Sequence, residues 1–244
     1  MNKSVLYRQG FTLIELIVVI LLIGVLSGVL FNVIRGPVLQ YAELEQRTNL
    51  VDIAETALLR MTREIRLALP NSIRVNVGNN TIEFLRTLDG GRYRAEAGGA
   101  VAACGGGAPA QDRLNFNSTA DCFEVLGTLI NVADIVTGAN RAQCIASMAD
   151  CLVIYNTGQP NANVYNEDNI AVITAATVNS ITFAEAPPFP IQSPRQRFYI
   201  VDTPVSFVCD IGSESIRRID NYSITAGVGA ATGQLLVDEI TACN

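Results

Sequence analysis

Residues 11–34 hold one ionisable side chain, Glu15, among 24 otherwise uncharged and mostly apolar positions. A helix of that length crosses the hydrocarbon of a bilayer, so the run predicts a transmembrane helix as the first element of the fold. Lys3 and Arg8 precede it, and the positive-inside rule then keeps the short N-terminus in the cytoplasm and sends everything after Arg35 outward. With 244 residues in all, an anchor followed by one globular domain accounts for the length.

An ordinary secretory signal has its small-residue cleavage site after the apolar run. Here the small residue, Gly10, comes before it, so a cut between Gly10 and Phe11 removes Lys3 and Arg8 and leaves the apolar helix on the mature protein. The run Gly10-Phe11-Thr12-Leu13-Ile14-Glu15-Leu16 resembles the class III signal of type IV prepilins and type II secretion pseudopilins. The resemblance implies a membrane prepilin peptidase that cuts after Gly10 and methylates the new amino group of Phe11, with Glu15 as the family's glutamate at the fifth mature position.

An acid in hydrocarbon is costly unless it finds a partner, so an intramembrane carboxylate marks function. A positively charged Phe11 amine, on the same subunit or on a neighbour in a staggered stack, is such a partner for Glu15. The bland alternative is a carboxylate that snorkels to the interface about a turn from the helix start. Gly24 and Gly28, with Ser27 between them, form a GxxxG pair that allows close helix packing, or gives the helix local looseness when subunits assemble.

Gly36-Pro37 interrupts the anchor at the expected membrane surface, where a kink is anticipated. Helical periodicity resumes over residues 38–69: Leu50, Ala54, Ala57, Met61, Ile65 and Ala68 fall on one stripe, with Asp52, Glu55, Arg60, Arg63 and Arg66 mostly on other faces. That stripe is expected to pack on the protein's own sheet, and Pro70 lies just past the helix end. From residue 70 the pattern changes to short alternating segments. "SIRVNV" and "TIEFLRT" flank Gly78-Asn79-Asn80 as a hairpin; "DRLNF", "CFEVLG", "CLVIYNTG", "IAVITAATV", "SITFAEA", "RFYIVDTPVSFVC", "SIRRIDNYSI" and "QLLVDEITAC" are further strands. The expected fold class is α+β, pilin-like: a long N-terminal transmembrane-to-periplasmic helix against a mainly antiparallel head. Its divisions are a leader (1–10), a transmembrane half-helix (11–36), an amphipathic periplasmic half-helix (37–69) and a β-rich head (70–244). The Ala/Gly-rich stretch 95–112 and "APPFPIQSP" (186–194) read as surface connections.

All six cysteines, Cys104, Cys122, Cys144, Cys151, Cys209 and Cys243, lie on the outward side, which favours disulfides in an oxidising space such as a periplasm. Cys144 and Cys151 bracket a short loop, and Cys209 at a strand end could tie down Cys243, leaving Cys104 with Cys122. Six cysteines allow 15 connectivities, so other pairings stay open.

The chemistry left to such a chain is narrow. Removing residues 1–10 takes away the only lysine; with no histidine anywhere, a histidine triad, a lysine Schiff base and a histidine metal site are excluded from the mature chain. There is no CxxC pair for zinc, no P-loop or GxGxxG for a nucleotide, and no EF-hand spacing around "NEDN" (166–169). Glu167-Asp168 and Asp238-Glu239 are sequence neighbours that point to opposite faces of a strand, a poor start for acid–base work. Arg60, Arg63 and Arg66 read as a solvated helix face, with Glu64 as a partner. A net charge of −6 without a basic stripe argues against nucleic acid. No enzyme, no cofactor and no metal are therefore expected.

Looser likenesses run through the head. "AETALLRMTREIRLALPNSIRV", "IEFLRTLDGGRYRAE", "LVIYNTG" and "FYIVDTPVSFVCD" resemble the O-type minor prepilins of the mannose-sensitive haemagglutinin (MSHA) pilus system. Members of that group often continue past the last cysteine, whereas this sequence stops at Asn244, so a shorter final strand or a truncated sequence is expected. The resemblance implies a minor subunit in the bacterial inner membrane, surrounded by lipid before assembly, that joins major and minor pilins at an inner-membrane assembly platform and helps initiate the fibre. A minor pseudopilin of type II secretion and a tethered periplasmic binding module are the alternatives.

Overall fold

A computed structural model describes residues 11–78, 80–96, 104, 113–184, 189–224, 233–238, 240 and 243. Two compact units divide the chain, Met1–Glu55 and Thr56–Asn244. The described part of the first is helix α1 (Leu13–Ile65) up to the boundary. Thr12 starts it: its carbonyl and its Oγ1 both accept from the Glu15 amide, at 3.1 and 3.4 Å. Thr12 thus supplies the threonine half of a capping box, while the acid three residues later lies in the first turn, at the positive end of the helix dipole.

The helix continues without a break across Gly36 and Pro37, so the expected interruption there is not seen. Proline withdraws one N–H from the ladder, and a helix that is strongly formed on both sides absorbs a loss of that size. Asn32, near the end of the apolar run, donates back to the Gly28 carbonyl at 3.2 Å and so finds an acceptor within the helix.

The second unit begins with the last turns of α1. Ala57 is buried, and Met61 and Ile65 pack with Ala68 on Phe84, Val205 and Phe207. The stripe expected to face the sheet does so from Ala57 onward. After Ile65 the chain lies along a strand: the Leu69 amide donates to the Leu85 carbonyl and the Thr87 amide to that of Leu67, both at 2.8 Å.

Among the described residues nine strands form one antiparallel sheet: β1 (Arg74–Val75), β2 (Thr81–Arg92), β3 (Asp121–Glu124), β4 (Cys151–Ile154), β5 (Ile170–Ala176), β6 (Ser180–Ala184), β7 (Arg197–Asp210), β8 (Ser215–Asp220) and β9 (Gln234–Val237). The order is β1-β2-β7-β4-β5-β6-β3, and β8 pairs with both β7 and β9. A short helix, α2 (Arg141–Ile145), is capped by Asn140, whose side chain accepts from the Gln143 amide at 3.0 Å.

The sheet curls until its two sides meet beyond β2 and β3. Tyr93 bridges Val125, the Arg94 amide donates to the Glu124 carbonyl at 3.2 Å, and the Leu126 amide to the Arg92 carbonyl at 2.7 Å. Phe123, Phe183, Phe198, Leu152, Ile173 and Ile200 fill the concave side. Gly91 keeps the junction tight: a Cβ there would stand 3.1 Å from the Phe198 ring and 3.3 Å from Val125, so those side chains would have to give by a few tenths of an ångström. The other face, with Leu85, Val153, Val172 and Val201, is covered by Leu69, Cys144, Val164, Tyr165 and Ile224.

Two expected strands come out differently. Residues 113–116 form no strand, because Asn115 turns the chain by accepting the Asn117 amide at 3.1 Å. "SIRVNV" keeps only β1, because Ser72 bonds back to the Leu69 carbonyl and the Asn76 side chain already accepts the amides of Asn80 and Thr81. The hairpin's Asn79, residues 97–103 and 105–112, and the start of the proline-rich connection (185–188) lie outside the described residues.

Candidate functional site

The sequence points to the start of α1, where Phe11 is 78% exposed and Glu15 is exposed one turn into the helix. Among the described residues nothing pairs with the Glu15 carboxylate; only its amide is engaged, by Thr12. Gly10 lies outside the described residues. Gly24 and Gly28 follow one helical turn apart, and a Cβ at either would meet nothing within 4 Å. Among the described residues no contact demands glycine at these two positions. Every described side chain from Phe11 to Glu55 is exposed, and the stretch up to Ile34 presents a long apolar surface with one carboxylate, Glu15, near its start. The helix is long and apolar enough to cross a membrane.

Three disulfides staple the second unit. Cys144 joins Cys151, tying α2 to the start of β4; Cys209 at the end of β7 joins Cys243; Cys104 joins Cys122 in β3. The Cα–Cα distances are 5.3, 6.0 and 5.7 Å.

Two polar clusters in the head carry the most unusual electrostatics. Glu83 of β2 is fully buried, accepting from Arg74 Nε at 2.7 Å, Tyr222 Oη at 2.8 Å and Ser206 Oγ at 3.4 Å. The Arg74 guanidinium lies 3.5 Å from the centre of the Tyr165 ring, and Tyr165 Oη donates to the Ser72 carbonyl at 2.8 Å. Burial, and after it the negative charge of Glu83, pushes both phenols well above their ordinary range, so they stay neutral donors. A carboxylate so fully engaged is a clamp between β1, β2, β7 and the segment after β8. It has no open side for a substrate.

The second cluster lines a cavity of about 320 Å³. Asp150 is buried and accepts the Val136 amide at 2.8 Å; burial, helped by the charge of Asp202, pushes its carboxyl up to about 6. Asp202 is itself held by Arg86, whose Nε donates to both carboxylate oxygens at 3.1 and 2.9 Å. The cavity therefore offers one titrating acid beside a carboxylate locked to arginine, with no partner base or nucleophile aligned to it. Among the described residues no group of three or more histidine, cysteine, aspartate or glutamate side chains could hold a metal.

Of the paired carboxylates, Glu167 contacts Arg141 at 3.3 Å and Asp168 accepts the Asn161 amide at 3.1 Å, both in a turn before β5; Glu239 lies outside the described residues. Arg60 donates to Glu64 at 3.3 Å. Thr12 was not singled out from the sequence, although its Thr-x-x-Glu spacing is a local signal for a helix start. Glu83 and Asp150 carry no such signal, since neither belongs to a motif and both are brought to their partners by the sheet.

Residues 6–31 match the family model described as "Prokaryotic N-terminal methylation motif". No curated protein and no solved structure matches the chain. The motif supports a type IV prepilin or pseudopilin, membrane-anchored, processed by prepilin peptidase and assembled with other pilins as a structural subunit.

Proposed function

We propose that the chain is a minor type IV pilin of the MSHA type. Prepilin peptidase cleaves it after Gly10 and N-methylates Phe11, and an inner-membrane assembly platform builds it with major and minor pilins into, or beneath, a pilus. Residues 11–36 act as the single-pass anchor, 37–69 as the periplasmic half of the helix, and 70–244 as a periplasmic head that reaches the cell surface with the fibre. A head of that size suits an initiating or tip subunit better than a repeating shaft subunit.

The observation that carries the reading is the Glu15 carboxylate, without a partner among the described residues, in an otherwise apolar and uncovered first half of the helix, four residues from the amine that cleavage creates at Phe11. In lipid, an acid and an amine each lack solvation, and a staggered helix stack removes both deficits at once. Gly24 and Gly28, unneeded within the chain, supply the small surface that close helix packing uses.

Replacing Glu15 with Gln tests this. The variant inserts in the membrane and loses its leader as before, but its share in sheared pili falls at least about tenfold, the loss expected when a charge pair is broken in a low-dielectric site. Normal incorporation of the Glu15→Gln protein contradicts the role given to Glu15. Recovery with secretion machinery in place of pili assigns the chain to the type II pseudopilins instead.

A further inference from the structure

Pro70, Tyr155, Pro194, Arg195, Arg197 and Tyr199 line a cleft of about 280 Å³ in the head. Its floor is firm. The buried Asn156 donates to the Pro70 carbonyl at 2.9 Å and accepts the Val164 amide at 3.0 Å, while Asn71 Nδ2 donates to the Asn156 carbonyl at 2.9 Å. On the other wall, buried Ser193 accepts the Arg197 amide at 3.0 Å and its carbonyl accepts from the Gln196 amide at 2.9 Å and Tyr93 Oη at 3.4 Å. Tyr155 is held at φ 52° and Asn71 at φ 60°, left-handed conformations that L residues seldom adopt and that the surrounding bonds maintain.

The side chains left over on this scaffold share one character. Arg195 and Arg197 are both exposed, and among the described residues neither guanidinium has a hydrogen bond or ion pair. The hydroxyls of Tyr155 and Tyr199 likewise have no protein partner among the described residues. In a chain of net charge −6, the cleft joins two uncommitted cations to two aromatic rings. Arginine forks match a carboxylate two bonds at a time, and aromatic faces accept the polarised C–H groups of a saturated ring.

The backbone narrows the class of ligand. Tyr199 pairs with Gly90 on one side and Val153 on the other, and Phe198 lies between Gly91 and Ile154. No open strand edge remains there to take up the main chain of an extended peptide, so recognition falls to side chains and favours a compact ligand. We propose that this cleft binds an acidic sugar unit, its carboxylate held by Arg195 and Arg197, its C–H face laid on a tyrosine ring and its hydroxyls met by the tyrosine hydroxyls and the Asn71 side-chain carbonyl. The site lies wholly within the second unit and is independent of the assembly role proposed for Glu15.

Calorimetric titration of the full-length chain in non-ionic detergent, using a galacturonic acid trimer, the matching neutral galactose trimer and an aspartate-rich octapeptide, tests the site. The acidic trimer is expected to bind with Kd at or below about 1 mM, the neutral trimer at least about tenfold more weakly, and the peptide no better than the neutral sugar. The double variant Arg195→Gln/Arg197→Gln, altered at exposed positions, is expected to keep the wild-type Tm and lose binding at least about tenfold. Tyr155→Asn, which suits the left-handed backbone and removes a ring that also packs on the core, is expected to weaken binding at a temperature below its own, lower Tm. Equal binding of the neutral trimer, preference for the peptide, no binding of the acidic trimer, or unchanged affinity in both variants overturns the proposal.

Discussion

Glu64, in the last turn of α1, accepts a hydrogen bond from Arg218 Nε of β8 at 2.6 Å, and so joins the end of the helix to the sheet by charge as well as by packing. Arg218 is only 6% exposed and also bonds Asp220, while Arg60 reaches from Glu64 to Gln234 of β9. Arg218→Met is expected to destabilise the head by about 1–3 kcal/mol, below the cost of a fully buried broken pair because both acids keep some solvent. Adding Glu64→Leu is expected to recover part of that loss. Denaturant unfolding of the two variants checks both signs.

Asp150 gives the head a distinct pH signature. Its folded-state carboxyl titrates near 6, above the ordinary 3.8, because burial disfavours the charged form. Stability from this group is therefore fully present below about pH 4 and is lost as pH rises through 6. The wild type minus Asp150→Asn difference in unfolding free energy is expected to fall by up to about 3 kcal/mol between pH 4 and 7, at ~1.4 kcal/mol for each tenfold change in proton affinity, and then to level off. A flat difference curve across that range contradicts the buried-acid account.

Glu83 is sensitive to the loss of any donor. Tyr222→Phe removes a 2.8 Å hydrogen bond but leaves Arg74 and Ser206 in place, and is expected to cost about 1–2 kcal/mol. Glu83→Ala takes the carboxylate from both Arg74 and Tyr222 at once and is expected to cost about 3–5 kcal/mol. Thermal unfolding of the two single variants gives the ranking directly.

The Cys209–Cys243 bridge closes the longest loop of the three, with 34 residues of separation, against 18 and 7 for the others. Loop-closure entropy assigns it about 4 kcal/mol, against about 2 kcal/mol for Cys144–Cys151. The pair Cys209→Ser/Cys243→Ser is accordingly expected to lower stability more than the pair Cys144→Ser/Cys151→Ser. The reverse order would show that native packing around α2, and not chain entropy, sets the contribution.

Legibility in the sequence followed the physical reach of each signal. The apolar run before Arg35 and the stripe Ala57-Met61-Ile65 are local periodic patterns, and α1 follows them closely. Most strands were visible from β-branched segments, since a strand needs only its own residues and two bounding turns. Closure of the sheet through Tyr93 and Val125 was not visible, because it joins positions far apart along the chain and rests on Gly91 admitting the Phe198 ring. The buried faces of β4 and the first half of β5 show no alternation to read: Cys151–Ile154 is covered on both sides. Glu15 stood out because its surroundings are uniformly apolar. Tyr155, Arg195 and Tyr199 are unremarkable in sequence and become neighbours only because β7 lies beside β4.

Under the proposed function, the helix beginning at Phe11 is released by processing and polymerises with its new amine beside a neighbour's carboxylate. Mass spectrometry of the N-terminal peptide from this protein in sheared, purified pili tests it most directly. The expected result is a chain that begins at Phe11 and carries a methyl group on its amine. A chain in the assembled fibre that still begins at an unmodified Met1 contradicts it.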